Sequence, residues 1–424
     1  MATTPKKSTN TSTSEWRQNL LDWTAKQGRI LTDEGKATEH YCSERGFPFA
    51  SNELPHYHLE RGDTHQVFHR WAAEAAAATA SDQEETSSPI VGAWSRPLFT
   101  GKWEQSTDTE ETVYNIQTGS LFIDLRIPTS KPVSRWENLL GGGDDGSSRQ
   151  AFELMSDEDL RLYARQHVFA GYSVISNEKN NNNSNHHKMS NNLPLCTRHH
   201  CIDWNYVSGK PRPRPNKWYI EGRNNNGKTP FHTWKEWSYA TDENGQCYYW
   251  EKWERIAGDE AGRGLRLAMR KKKRGSNISS EEGSNDAILV AVGDHFNYIV
   301  GRQFLDLHTR YGDAGSTVEL VDLALQHGDR DTAISHLSLA GGHGTISSGW
   351  KIDCALQPWQ HGKNVFNCLT ESSCNEEVKI IGGGNAGCIS WEVVIGNDSW
   401  DVYECSLSRD ELQQLLLSRK ISRL

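Results

Sequence analysis

Four stretches of the chain carry side chains whose types and spacing could do chemistry. In LFIDLRI, Leu121, Ile123, Leu125 and Ile127 alternate with Phe122, Asp124 and Arg126, so on a β-strand the apolar set and the acid–guanidinium set fall on opposite faces. An arginine fork held by a neighbouring acid suits a carboxylate-bearing or phenolic guest if that face is enclosed. On an open surface it is an ordinary ion pair worth less than about 1 kcal/mol.

A second pair, Glu236 and Glu251, sits in TWKEWSYATDENGQCYYWEKWERI. Asn244-Gly245 between two aromatic runs predicts a β-hairpin with a type I′ turn. Counting outward from it sets Lys235 opposite Glu254, Trp237 opposite Lys252 and Tyr239 opposite Trp250 on the outer face. The inner face then carries Trp234, Glu236, Ser238 and Ala240 against Arg255, Trp253, Glu251 and Tyr249. Carboxyls enclosed among such rings have raised pKa values and could act as acids or bind a ligand. If both faces are wet, they simply pair with basic neighbours.

The third stretch, CTRHHCIDW, places His199 and Asp203 on one strand face and Arg198 and His200 on the other. A His–Asp pair suits acid–base work, although a strand histidine is often only a structural hydrogen-bonding group. The fourth is GDHFNYIVGR, where Asp294, Tyr298 and Arg302 share a face on a continuous strand. A two-residue turn at Gly293-Asp294 would break that alignment. Near the start, His56, His58, His65 and His69 offer imidazoles but lack the interleaved glutamate of a zincin, so no metal set is assigned.

These side chains need strands to hold them. From Ile90 to about Ser406, period-two runs recur around Trp94 and over 101–106, 112–127, 167–175, 195–207, 231–240, 246–256, 287–302, 349–356, 388–395 and 400–405. Roughly ten strands predict a mainly β fold, a closed antiparallel barrel with a few peripheral helices. Ser156 with Asp159, Ser316 with Glu319 and Ser408 with Glu411 have capping-box spacing and mark those helices. Residues 1–88 read as a helical, partly disordered extension, 89–407 as the barrel with insertions, and 408–424 as a C-terminal helix. The glycine clusters GGHG and IGGGNAG read as turns, and the tract around RKKKR (270–274) as a solvated insertion or a basic patch.

Composition narrows the function classes. Of 424 residues, 35% are hydrophobic and the net charge is −9, which gives no general drive toward nucleic acid or anionic membrane. No apolar segment is long enough to span a bilayer, and nine scattered cysteines without a CxxC pair suit a reducing, cytoplasmic location.

Gly92-Ala93-Trp94 matches the G-x-W pattern of the first lipocalin strand, where the tryptophan closes one end of the barrel. With YYWEKWERI, ILVAVGDHFNYIVGR and ISWEVV, the chain resembles a poorly characterised fungal lipocalin-like, calycin-type family, one member of which is known as a casein-kinase-1 interactor. The Q-T-x-x-x-F-x-D-x-R-I-P run from Gln117 to Pro128 is similar to uncharacterised bacterial proteins of lipocalin-like type. The likeness spans about residues 90–406. It implies a barrel whose cavity takes a small, mostly apolar ligand, and it brings no catalytic set.

The leading expectation is therefore a small-molecule binder, its guest acidic or phenolic at the polar end. Its lining is drawn from Trp103, Tyr114, Asp124, Arg126, Glu236, Trp237 or Trp253, Tyr249, Glu251 and Tyr298. One alternative is acid–base catalysis of lyase or isomerase type by Glu251 or Asp203 with His199 and the Arg126 fork. Another is a protein-interaction scaffold with a filled barrel, a protein partner engaging the N-terminal extension. The sequence names no cofactor.

Overall fold

A computed structural model describes residues 90–101, 111–128, 148–176, 193–207, 216–222, 231–238, 249–256, 264–272, 286–302, 311, 314, 316–369, 378–382 and 391–418. The extension over 1–88, its four histidines, the Asn244-Gly245 turn and Trp103 lie outside the described residues.

The strands form two systems instead of one barrel of ten. Eight of them, β1 (Gly92–Gly101), β2 (Glu111–Gln117), β3 (Phe122–Pro128), β4 (His167–Ser176), β5 (Leu195–Asp203), β6 (Asn216–Gly222), β7 (Thr233–Ser238) and β8 (Tyr249–Arg255), close an up-and-down antiparallel barrel. β1 pairs with β8 to seal it.

The later runs build a second sheet. It comprises β9 (Arg266–Lys271), β10 (Ala287–Val292), β11 (His295–Val300), β12 (Ala340–Thr345), β13 (Lys351–Ala355), β14 (Val378–Ile381), β15 (Trp391–Ile395) and β16 (Asp398–Cys405), in the order β13-β12-β11-β10-β9-β16-β15-β14.

Several departures from the sequence reading have local causes. The run 112–127 is a hairpin, not one strand. Thr118 turns it, its Oγ1 accepting from the Ser120 and Leu121 N–H groups and its own N–H bonding Leu121 O at 2.9 Å. Gly293-Asp294 is a two-residue turn, with Val292 paired to His295 and Gly293 at φ 61°, so Asp294, Tyr298 and Arg302 do not share one strand face.

GGHG is strand β12. A Cβ on Gly344 would lie 2.0 Å from Lys351 O and one on Gly342 2.7 Å from the Tyr298 ring, so here glycine serves close approach and not turning. The start of the basic tract is strand too: Arg270, Lys271 and Lys272 are ion-paired to Asp286, Asp398 and Glu392.

All three serines cap helices, two of them in reciprocal boxes. Two helices, α1 (Ser148–Leu154) and α2 (Asp157–Ala164), link β3 to β4, and α3 (Thr317–Gln326) and α4 (Arg330–His336) link β11 to β12. Two more, α5 (Phe366–Leu369) and α6 (Arg409–Ser418), serve the second sheet. Ser156 caps α2 reciprocally with Asp159, Ser316 accepts from Glu319 N, and Ser408 and Glu411 bond each other at the start of α6. Among the described residues no helix is long and apolar enough to cross a membrane.

The main core lies outside the barrel. Strands β10 and β11 pack against β2 and β3, and helices α1 to α4 add to the same layer. Ile116, Ile123, Leu125, Ile127, Val168 and Ala170 thereby join Ile288, Val290, Ile299, Leu160, Val321 and Ile334 in one apolar cluster. Burying Ile123, Leu125 and Ile127 alone contributes on the order of 5–9 kcal/mol. Asn297 of β11 clasps the wall, donating to Tyr114 O at 2.9 Å and Ile123 O at 3.1 Å while His343 Nδ1 bonds its Oδ1 at 2.9 Å. A second cluster fills the other face of the second sheet, where Leu412 and Leu416 of α6 pack.

Candidate functional site in the barrel interior

With the Leu/Ile face of β3 turned to the second sheet, Phe122, Asp124 and Arg126 face the lumen. The proof is contact between strands that are not neighbours. Arg126 on β3 reaches Glu251 on β8 (3.5 Å), and Arg198 on β5 reaches both Asp124 on β3 (3.3 Å) and Gln117 on β2 (3.1 Å). Such contacts are possible only across the inside of the barrel.

The interior has an ionic end and an aromatic end. Arg126 grips Asp124 with two bonds, Nε to Oδ1 at 2.8 Å and Nη2 to Oδ2 at 3.2 Å. Arg96 bridges Glu251 at 2.7 Å and Glu111 at 2.8 Å. Burial pushes the Asp124 carboxyl up, but the adjacent Arg126, with Arg198 and Arg96, holds it below its ordinary value. Asp124 is therefore an ionised anchor for two guanidiniums and not a proton donor.

At the aromatic end Trp218, Trp234 and Trp253 stack in sequence, with centroids 5.2 and 5.5 Å apart, and Trp94 meets Trp234 edge-on at 5.9 Å. Trp94 lies at that end, its Nε1 donating to Ile90 O at 2.8 Å and the Arg255 guanidinium lying 4.3 Å over its ring. Arg198 joins the two ends, 4.4 Å over Phe122 and 5.0 Å over Trp218.

Glu236 and Glu251 are register partners across β7 and β8, 2% and 1% exposed, beside the paired Trp234 and Trp253. The faces of this hairpin match the sequence reading, but its register is displaced by two residues. Lys235 meets Lys252, not Glu254, and Trp237 meets Trp250. An even displacement moves partners without exchanging faces. Trp253 thus lines the lumen, whereas Trp237 lies outside, tilted on Trp250 at 5.7 Å and bonded to Glu221 at 2.6 Å.

The histidine pair is corrected by a bulge. Between Ala170/Ile202 and Gly171/His200 the ladder gains one residue on β5, Cys201. That residue changes the parity of everything after it, so Asp203 shares the interior with His200, not with His199. His200 Nδ1 lies 2.7 Å from Asp203 Oδ2, and its ring stacks on Phe169 at 4.3 Å, the ring that Arg126 covers at 5.4 Å. Burial pushes the Asp203 carboxyl up, but the hydrogen bond and charge of His200, with His167 and the Asn205 N–H, bring it down to about 2. His199 instead stacks on Tyr172 at 4.7 Å on the other face.

Two further candidates face away from the lumen. Tyr114 lies flat on His343 of the second sheet, centroids 3.8 Å apart. Tyr298 is buried in the second sheet and donates to Gln360. Tyr249 occupies β8 opposite Gly101.

Inner-wall residues that the sequence reading left out are Arg96, Glu111, Asn115, Phe169, Arg198 and Trp218, while Trp234 stands on the inner face where that reading set it. A signal existed for some of them. Glu111, Val113, Asn115 and Gln117 alternate in ETVYNIQ, as do Cys196, Arg198 and His200 in LCTRHH.

The inner wall also carries buried polar atoms with no hydrogen-bond partner among the described residues. These are both amide atoms of Asn115, Arg198 Nε, Glu251 Oε2 and the indole nitrogens of Trp218, Trp234 and Trp253.

Fold and site together define a closed eight-stranded antiparallel barrel with a charged, tryptophan-rich interior, buttressed by a second sheet. No family model, curated protein or solved structure matches this chain.

Proposed function

We propose that the barrel is a lipocalin-like container that binds a small, mostly apolar ligand in its lumen. The observation that carries this reading is the set of unpartnered donors and acceptors on the inner wall. Each such group costs about 1–3 kcal/mol when nothing bonds it. Six side chains bear them, and together they would consume a typical stability of roughly 5–15 kcal/mol. A guest that meets these atoms, with its body against the tryptophan stack, removes that cost.

Native mass spectrometry of the purified full chain tests this. A co-purifying guest that leaves on denaturation is the expected result. A protein of bare mass that also shows no thermal shift across a broad aromatic library refutes it.

An acid–base reading rests on one specific contact, the buried His200–Asp203 pair at 2.7 Å. It calls for chemical change of the guest: the bound mass should shift with time in the native protein and stay fixed in His200→Gln. A cytoplasmic site and a protein partner engaging residues 1–88 complete the proposal. They agree with the net charge of −9, which gives no electrostatic reason to approach anionic surfaces.

A further inference from the structure

The ligand reading can be sharpened by asking what the inner wall has already used. Every arginine on it is engaged: Arg96 by Glu111 and Glu251, Arg126 by Asp124 and Glu251, Arg198 by Asp124 and Gln117, and Arg255, over Trp94, by the Val91 and Phe231 carbonyls. Among the described inner-wall residues of the ionic network and the β7–β8 pair, the guanidiniums are Arg96, Arg126 and Arg198. The carboxylates there are Glu111, Asp124, Glu236 and Glu251; elsewhere on the inner face Arg255 is matched by Asp203. At the ionic end a guest carboxylate would have to take an arginine from a buried acid and leave that acid uncompensated, in a wall with no surplus of positive charge.

The unused groups have a different character. Five are N–H donors on neutral or already neutralised side chains: the indoles of Trp218, Trp234 and Trp253, the Asn115 amide and Arg198 Nε. These ask for uncharged acceptor oxygens. The unpartnered acceptors beside them are Asn115 Oδ1 and Glu251 Oε2. Glu251 is fixed by two arginines through its other oxygen, Oε1, so Oε2 is held ready to accept one O–H.

Resting on the ligand reading above, we propose that the barrel selects a neutral, flat hydroxyaryl carbonyl compound over an aromatic acid. The phenolic O–H donates to Glu251 Oε2, and the carbonyl accepts from the inner-wall N–H groups.

The test uses three probes of one size on the full chain at pH 6, where the phenol keeps its proton: 7-hydroxycoumarin, coumarin and coumarin-3-carboxylate, titrated by calorimetry. A hydrogen bond to a charged acceptor is worth about tenfold to a hundredfold in affinity. The hydroxylated probe should therefore lead coumarin by that factor, and the carboxylate should bind more weakly than coumarin.

In Glu251→Gln the ratio of the two affinities, hydroxylated probe over coumarin, should fall toward one. Should that variant not fold, the wild-type series still decides. Equal binding with and without the hydroxyl overturns the proposal, as does a carboxylate that binds as well as coumarin; in both cases the ligand reading stands. If none of the three binds, this proposal fails, and the native mass spectrum decides separately whether the lumen holds any guest.

Discussion

Asp124→Asn gives the most direct measure of how dry the barrel interior is. The carboxylate is 0% exposed and accepts three bonds, two from Arg126 and one from Arg198. The substitution keeps the shape and removes the charge. Arg126 then keeps its ion pair with Glu251 at 3.5 Å, and Arg198 keeps its bond to Gln117, but both lose the nearest negative charge. Removing one partner from a buried ionic group costs about 3–5 kcal/mol, because the remaining charges stay desolvated.

Urea unfolding followed by tryptophan fluorescence reads this as a fall in midpoint at constant slope. A cycle with Arg198→Gln should show strong coupling, since the second substitution relieves the charge stranded by the first. A loss below about 1 kcal/mol, the range of solvent-exposed pairs, would refute a dry interior. The inference about guest charge would fall with it.

Three further outcomes follow from particular contacts. Asp203, lowered from 3.8 to about 2, contributes stability that is fully present above its unfolded pKa and lost as pH falls through the folded value. About 2 kcal/mol should therefore disappear between pH 4 and 2, and a His200→Gln variant should show a smaller loss over that window in acid unfolding. Asn297→Ala removes both bonds to the barrel wall and should cost about 1–3 kcal/mol. Hydrogen exchange in that variant should rise first at β2 and β3. Gly171→Ala would put a Cβ 1.8 Å from His199 O at the bulge, so the variant should lose the cooperative unfolding transition; a normal midpoint would show that the β4–β5 ladder is built differently.

What the sequence disclosed depended on whether local pattern or distant contact decides a feature. The two faces of Leu121–Ile127 were legible because apolar and charged residues alternate cleanly there. Which face looks inward was not, since the usual rule of apolar side chains inside is inverted by a second sheet that covers the outer wall. The capping boxes are local and were readable; strands β9 and β12 were hidden by basic and glycine-rich composition. The exchange of His199 for His200 came from one extra residue at Cys201, and a bulge leaves no mark on period-two alternation until pairing is known. Glu236 and Glu251 survived an error in hairpin register because the displacement was even.

The shared core also sets a problem of timing during synthesis. The last barrel strand ends at Arg255, yet the wall bearing Ile123, Leu125 and Val168 is covered by strands and helices that follow Leu265. At about 5–20 residues per second, the ribosome takes roughly ten seconds or more to deliver the rest. Through that interval a closed barrel carries a greasy flank in open water. A nascent chain stalled after Arg255 is thus a substrate for chaperones, and a gene fragment ending there should yield inclusion bodies where the longer chain yields folded protein.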